Sequence, residues 1–186
     1  LSTVLTEASR LLPAVWIARL RDISAWWREK ADFSVDVQPT PTGIHLSFNC
    51  SERATILVRE LEADGSLQPW DGIYRRFTAP VLDAPAEPRP FVGLSPGAPK
   101  QTVSFLREQG YVLDIGQTAP RCAIYLDAAT LSRLKSEVKL TEFIEGSHGP
   151  LVKYGRWPNG VKSALSITGD LDALTLLDYA GRLFAG

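Results

Sequence analysis

Two carboxylates near the end of the chain have a spacing that could support catalysis. Asp170 and Asp172 are separated by one residue and follow an apolar run that begins after a Pro-Asn-Gly turn at residues 158–160. One carboxylate of such a pair can hold a metal ion while the other accepts a proton from metal-bound water. The same spacing also occurs in calcium-binding loops and in plain turns, so the flanking residues have to decide between these possibilities.

The residues before the pair predict a buried strand. Val161, Leu165 and Ile167 share one face of this strand, whereas the small residues Ala164 and Ser166 share the other. Large residues on one face and small residues on the other suit a strand of a barrel that has helices outside it. Parallel α/β folds carry their chemistry at the C-terminal ends of the strands, which is where the two carboxylates fall.

The wider segment resembles a known enzyme family. Arg-Trp-Pro-Asn-Gly at residues 156–160, followed by Thr-Gly-Asp-Leu-Asp-Ala-Leu-Thr at 168–175, is similar to the first strand of the polysaccharide deacetylases (carbohydrate esterase family 4). In that family the first Asp is the catalytic base and the second is a metal ligand, which implies these roles for Asp170 and Asp172. The resemblance implies hydrolysis of acetyl groups on a polysaccharide or amino sugar, with an acetylated glycan as the partner.

A second segment, near the start of the chain, resembles the last strand and helix of the same family. It reads Trp-Ile-Ala at residues 16–18, followed by Ile-x-x-Trp-Trp-Arg at 23–28. The family usually carries its Asp-Asp strand at the beginning of the catalytic domain, whereas here that strand comes last. We therefore expect a circularly permuted C-terminal portion, in which residues 1–31 and 150–186 belong to one (β/α) barrel.

The metal site that the resemblance implies is incomplete in this stretch. The family combines one Asp with two histidines, typically His-x-x-x-His, but this chain contains only His45 and His148. These 186 residues therefore supply the base and one ligand at most. A divalent metal, expected to be zinc, would require histidines from the remainder of the catalytic domain, and this chain alone is expected to be inactive. His45 is expected to be a solvated strand residue, and His148 to lie in a loop.

The middle of the chain predicts a β-rich unit. Apolar residues alternate over 33–37 and 44–48, and a third strand is expected within 54–61. A strand–helix–strand unit follows at 91–116 and another strand at 122–126, after which Asp127 can cap a helix. We predict an α+β fold: a sandwich-like middle domain (33–126) between the barrel end (1–31) and a segment of helices plus the permuted barrel strand (127–186).

Aromatic residues allow an alternative function. Trp70, Tyr74 and Phe77 could form an exposed platform on which sugars stack, with Trp70 and Tyr74 binding the glycan, or they could close the β-core. The platform would make the chain a non-catalytic glycan-binding or interaction module. A third alternative is a structural remnant in which Asp170 and Asp172 only cap a helix.

The predicted helix after residue 18 contains two adjacent tryptophans. Leu20, Ile23 and Trp27 recur at helical spacing, which predicts Trp27 as the buried anchor and places Trp26 off the apolar stripe.

Composition narrows the classes of protein and partner. The net charge is −1, and no basic run is present, which argues against nucleic acid as a partner. No segment approaches the roughly 20 consecutive apolar residues of a membrane span. Cys50 and Cys122 are expected to be free thiols. The sequence contains no Met, even at position 1, which suggests a processed or truncated chain. An upstream signal peptide is therefore left open, and with it the choice between the cytoplasm and the cell envelope.

Overall fold

The computed structural model describes residues 6, 7, 10, 15–63 and 67–166. The described part of the chain is a mixed α+β structure that contains several small sheets, as predicted. Its α-helices are α1 (Leu20–Ala31), α2 (Lys100–Glu108), α3 (Ala128–Arg133) and α4 (Glu137–Gly146). Its strands are β1 (Val15–Ile17), β2 (Ser34–Thr40), β3 (Gly43–Asn49), β4 (Ile56–Arg59), β5 (Leu67–Pro69), β6 (Arg75–Phe77), β7 (Val81–Ala84), β8 (Arg89–Leu94), β9 (Leu113–Asp114), β10 (Cys122–Leu126), β11 (Leu151–Tyr154) and β12 (Ser163–Leu165).

Two antiparallel sheets share one apolar core, and we call this pair of sheets the sandwich. One sheet has the order β2-β3-β7 and the other the order β11-β4-β6-β5. Ile44 and Leu46 of β3 pack in the same cluster as Ile56 and Val58 of β4. The alternation predicted at 44–48 is confirmed for residues 44–46, because Ile44 and Leu46 are buried while His45 between them is only half-buried. Phe48 is half-buried and packs against the same core.

A parallel sheet with the order β10-β8-β9 makes the second core of the molecule. The predicted strand–helix–strand unit is present as β8, α2 and β9, and the predicted strand at 122–126 is β10. Leu106 of α2 packs against β8 and β10 in this core. Gly93 of β8 permits close packing, because a Cβ there would lie 2.1 Å from the Ala119 carbonyl oxygen. Asp127 caps α3 as predicted, accepting a hydrogen bond from Thr130 N at 2.7 Å.

The two outer segments of the chain meet in a third arrangement. β1 pairs with β12 in parallel, with Trp16 opposite Ala164 and Ile17 opposite Leu165. The Ala18 amide extends this pairing by donating to the Leu165 carbonyl at 3.0 Å. A 3₁₀ segment, Pro158–Gly160, precedes β12 at the predicted Pro-Asn-Gly turn. In the described part of the chain this parallel sheet has two strands, so the complete barrel stays a prediction.

Strand β11 corrects the assignment of residues 150–186 to the barrel. β11 pairs antiparallel with β4, with Leu151 opposite Arg59 and Tyr154 opposite Ile56, so it belongs to the sandwich. Every residue of β4 is buried, and a buried strand needs a hydrogen-bonding partner along each edge. β6 occupies one edge of β4 and β11 occupies the other.

Helix α1 is rotated relative to the prediction. Trp26 is fully buried, whereas Trp27 is half-buried and Leu20 is 61% exposed. Trp26 donates its indole N–H to the Arg156 carbonyl at 2.9 Å and packs edge-on against Phe33. The prediction of Trp27 as the buried anchor was therefore wrong, because the apolar stripe on which it relied starts at a residue that faces solvent.

Candidate functional site

The structure describes the strand that leads to the predicted catalytic pair but not the pair itself. Asp170 and Asp172 lie outside the described residues. β12 ends shortly before them and runs parallel to β1, so the C-terminal ends of the two strands share one edge of the sheet. This edge is where ligand-binding and catalytic groups collect in parallel α/β sheets.

Three tryptophans and two arginines surround this pair of strands. Trp157 contacts Trp16 of β1 and Trp27 of α1, with ring centroids 6.4 Å and 5.4 Å away. The Arg156 guanidinium lies over the rings of Trp27 and Trp157, and the Arg53 guanidinium lies over Trp16. Stacked guanidinium and indole groups attract each other while their polar atoms stay near water. The cluster therefore holds the segment before β12 against β1 and α1.

A second polar cluster centres on Glu145, near the C-terminus of α4. Its carboxylate accepts hydrogen bonds from the Tyr74 hydroxyl at 2.7 Å, from Lys153 Nζ at 2.9 Å and from the Tyr111 hydroxyl. Arg59 Nη1 lies 3.9 Å from the same carboxylate and also donates to the Glu145 backbone carbonyl at 3.3 Å. These contacts join α4 to β4, to β11, to the residue before β6 and to the loop after α2.

The electrostatics of this cluster fix its protonation state. Burial by itself would raise the pKa of Glu145, but Lys153 and the hydroxyl donors outweigh this effect, and the pKa lies below its usual value. Burial, followed by the negative charge of Glu145, raises the pKa of Tyr74 and of Tyr111. Both tyrosines are therefore hydrogen-bond donors at neutral pH and are unsuited to act as bases. The donors occupy both carboxylate oxygens, so the cluster fixes the packing of α4.

The aromatic residues proposed to bind glycan do not form a common exposed surface. Tyr74 and Phe77 are each 4% exposed and belong to the two apolar cores. Trp70 is half-buried, and its ring lies under Lys162 Nζ at 5.5 Å. A Cβ on Gly160 would lie 3.4 Å from the same ring. The alternative that these residues close the core is the correct one for Tyr74 and Phe77, whereas Trp70 packs against the segment before β12.

The two histidines lie apart and have separate carboxylate neighbours. His45 Nδ1 lies 2.7 Å from Asp83 Oδ1 on the neighbouring strand, and His148 Nδ1 lies 3.8 Å from Glu60 Oε1. Among the residues that the structure describes, no group of three His, Cys, Asp or Glu side chains could hold a metal ion. The described residues therefore do not fit a zinc site by themselves. Cys50 and Cys122 are free thiols, as predicted.

Two buried charged groups were not predicted from the sequence. Lys30 occupies the last turn of α1, where a positive charge complements the helix dipole, yet it is only 7% exposed. Glu145 lies near the end of α4, and no local sequence pattern predicts its contacts. Its partners are Arg59, Tyr74, Tyr111 and Lys153. Lys30 follows Trp26 by four residues and lies on the same helical face, so a correct placement of Trp26 in the core would have indicated the position of Lys30.

Comparisons with known proteins do not assign a family. No protein-family model matches this chain, no curated protein matches it, and no solved structure matches it either. Among the described residues, none of the helices has the length and apolar character needed to cross a membrane. The deacetylase resemblance therefore stays a hypothesis drawn from residues 16–28 and 156–175, and the parallel pairing of β1 with β12 is the structural observation that bears on it.

Proposed function

We propose that this chain is part of a metal-dependent deacetylase that removes acetyl groups from a polysaccharide or amino sugar. The parallel pairing of β1 with β12 carries the proposal. These strands lie at opposite ends of the described sequence, and each belongs to a segment that resembles a different end of the deacetylase domain. Circular permutation requires such segments to be neighbours in one parallel sheet. The tryptophan–arginine cluster supports the same arrangement because it joins both segments through Trp157.

The proposed roles of the two carboxylates differ. Asp170 is the proton acceptor, and Asp172 is the metal ligand. His45 lies beside Asp83 and His148 beside Glu60, so the two imidazoles do not form a shared metal site. We therefore propose that the remaining metal ligands come from outside this chain. When bound, the metal would supply polarisation of the acetyl carbonyl, and the chain's own contribution would be the anionic ligand and the base.

The test separates metal binding from proton transfer in the whole protein. We expect Asp172→Asn to lose the metal, because an amide is a poorer ligand than a carboxylate. Asp170→Asn should keep the metal and lose acetate release, because only the proton acceptor is removed. Metal content by elemental analysis and acetate release from acetylated chito-oligosaccharides are the two measurements. Asp36→Asn, on the exposed side of β2, is the matched control and should change neither.

Two results would overturn the proposal. Full turnover in Asp170→Asn would remove that residue as the base, and retained metal in Asp172→Asn would remove that residue as a ligand. We also expect the isolated 186-residue chain to bind Zn²⁺ weakly and to release no acetate, because carboxylates without imidazoles make a poor zinc site. Deacetylase activity in the isolated chain would contradict the proposed origin of the other ligands.

A further inference from the structure

A cleft lies where α1, β2 and α2 meet. Its volume is about 930 Å³, within the range of roughly 300–1,000 Å³ that is usual for small-molecule sites. Aromatic side chains of Trp27, Phe33, Tyr111 and Tyr154 line the cleft. Because they come from α1, the turn before β2, the loop after α2 and β11, the cleft exists only in the folded molecule.

The buried ammonium of Lys30 lies at the wall of this cleft. Lys30 Nζ donates to the Glu108 carbonyl at 2.8 Å and lies 5.2 Å from the centre of the Trp27 ring. An ammonium group has three N–H donors, so this carbonyl leaves further donors for a ligand. In the described part of the chain, no carboxylate forms an ion pair with Lys30.

The charges around Lys30 favour an incoming anion. Burial, followed by the positive charges of Arg156 and Lys153, lowers the pKa of Lys30 to about 7, although the carboxylate of Glu108 opposes this effect. A buried cation without a paired anion is unfavourable, and a bound anion would relieve that cost. The remaining charged groups that line the cleft are Asp32 and Arg107. Lys153, which acts on Lys30 from outside the lining, already forms an ion pair with Glu145. The carboxylates of Asp32 and Glu108 belong to exposed residues, where water screens them.

We propose that this cleft binds a small ring-bearing carboxylate, with the carboxylate on Lys30 Nζ and the ring against the aromatic wall. The ammonium supplies charge-assisted hydrogen bonds, and Arg107 adds attraction at the rim. The aromatic wall accepts either a flat aromatic ring or the C–H face of a sugar ring. This proposal does not rest on the proposed deacetylase activity, because none of the residues that carry it is Asp170 or Asp172.

Ligand binding should be coupled to proton uptake. A carboxylate beside Lys30 favours the ammonium form and raises the pKa of that side chain. Above pH 7 the free protein holds Lys30 largely neutral, so binding must then take up a proton. The affinity should therefore be highest below about pH 7 and fall about tenfold for each further pH unit well above it, until the pKa of the bound form is reached.

Calorimetric titration with matched ligands tests the proposal. Benzoate carries an aromatic ring and glucuronate a sugar ring, and benzyl alcohol and glucose are their neutral counterparts. We expect at least one of the two carboxylates to bind about tenfold or more tightly than its neutral counterpart and than acetate, which has no ring. The carboxylate that binds identifies the kind of ring. Titration at about pH 8 in buffers of different ionisation enthalpy should show proton uptake.

Variants assign the effect to one side chain. Lys30→Met keeps the apolar stem but removes the charge, and it should weaken carboxylate binding about tenfold or more. Lys100→Met, at the exposed first position of α2, is the control and should bind as the wild type does. The wild-type pH dependence and ligand preference test the proposal even if Lys30→Met does not fold. Absence of carboxylate binding at millimolar concentrations, binding without proton uptake at pH 8, or equal binding by a folded Lys30→Met would overturn it.

Discussion

Trp26 and Trp27 are adjacent in α1 but differ in what they contact. Trp26 is fully buried and donates a hydrogen bond to the Arg156 carbonyl, whereas Trp27 is half-buried at the cleft. We expect Trp26→Ala to lower the free energy of unfolding by about 3–5 kcal/mol, because it leaves a cavity and an unpaired carbonyl. Trp27→Ala should cost less, because part of this side chain already faces water.

Urea unfolding of the two variants at neutral pH measures both losses. Trp70→Ala, which removes another half-buried tryptophan far from α1 in sequence, is a suitable reference. A larger loss for Trp27→Ala than for Trp26→Ala would contradict the observed phase of the helix.

Glu145 should make stability depend on pH. Its pKa is lowered in the folded chain, so it stabilises the fold above its unfolded pKa, and this contribution is lost as the pH falls through the folded pKa. Glu145→Gln should therefore lower the free energy of unfolding at neutral pH by about 1.5–3 kcal/mol, since hydrogen bonds to a charged group are lost. The difference from wild type should shrink as the pH falls below about 4.

Denaturant unfolding at several pH values provides the measurement for Glu145. Glu142→Gln on the same helix is the matched control, because Glu142 is exposed, and it should remain within about 0.5 kcal/mol of wild type. A pH-independent loss in Glu145→Gln would show that the carboxylate charge does not contribute in the way we describe.

The end of α2 shows how one glycine joins two elements. Gly110 has φ +93°, and a Cβ there would lie 1.9 Å from the Tyr154 carbonyl oxygen. The Tyr154 amide donates to the Gly110 carbonyl at 2.8 Å, so the two backbones are held in contact. Gly97 has φ +90° but has nothing within 4 Å of an added Cβ. Comparing the two positions therefore separates a steric clash from backbone strain.

We expect Gly97→Ala to destabilise by about 1–2 kcal/mol, which is the cost of a left-handed conformation for a residue with a Cβ. Gly110→Ala should cost a further 1–3 kcal/mol or so, because strand β11 has to move away. Thermal and urea unfolding of both variants check this order. Equal losses at the two glycines would mean that the contact with Tyr154 relaxes without cost.

The connection between the two ends of the described chain depends on Trp157. Its ring contacts Trp16 and Trp27, and each aromatic pair contributes about 0.5–1.5 kcal/mol beyond buried area. We expect Trp157→Ala to open the β1–β12 pairing locally. The Ala18 amide, which donates to Leu165, should then exchange about tenfold or more faster with solvent, while amides in the sandwich core keep their protection.

Native-state hydrogen exchange followed by NMR measures this opening amide by amide. Phe48→Ala in β3 is the control, because its ring contacts Phe77 and Tyr154 and has no ring contact with a tryptophan among the described residues, so it should leave the Ala18 amide protected. Unchanged protection of the Ala18 amide in Trp157→Ala would show that backbone hydrogen bonds alone hold the two strands together.

The sequence by itself determined the features that local physical chemistry controls. Alternation of apolar residues predicted β3, because successive side chains of a strand point to opposite faces. Asp127 was predicted as a helix cap, because its short carboxylate reaches an amide in the first turn. The parallel neighbours β1 and β12 were expected in one unit only through the family resemblance, and the roles of Asp170 and Asp172 still rest on that resemblance alone.

Only the tertiary structure decided which elements and charges meet. Placing β11 beside β4 requires knowledge of which strand edges remain unpaired, and this depends on the whole sheet. The face that α1 buries was set by the Arg156 carbonyl and Phe33, which lie outside the helix. Lys30 and Glu145 look like ordinary surface charges in the sequence, because burial is a property of the surrounding elements. Long-range contacts therefore created the cleft and the carboxylate cluster, which no local pattern encodes.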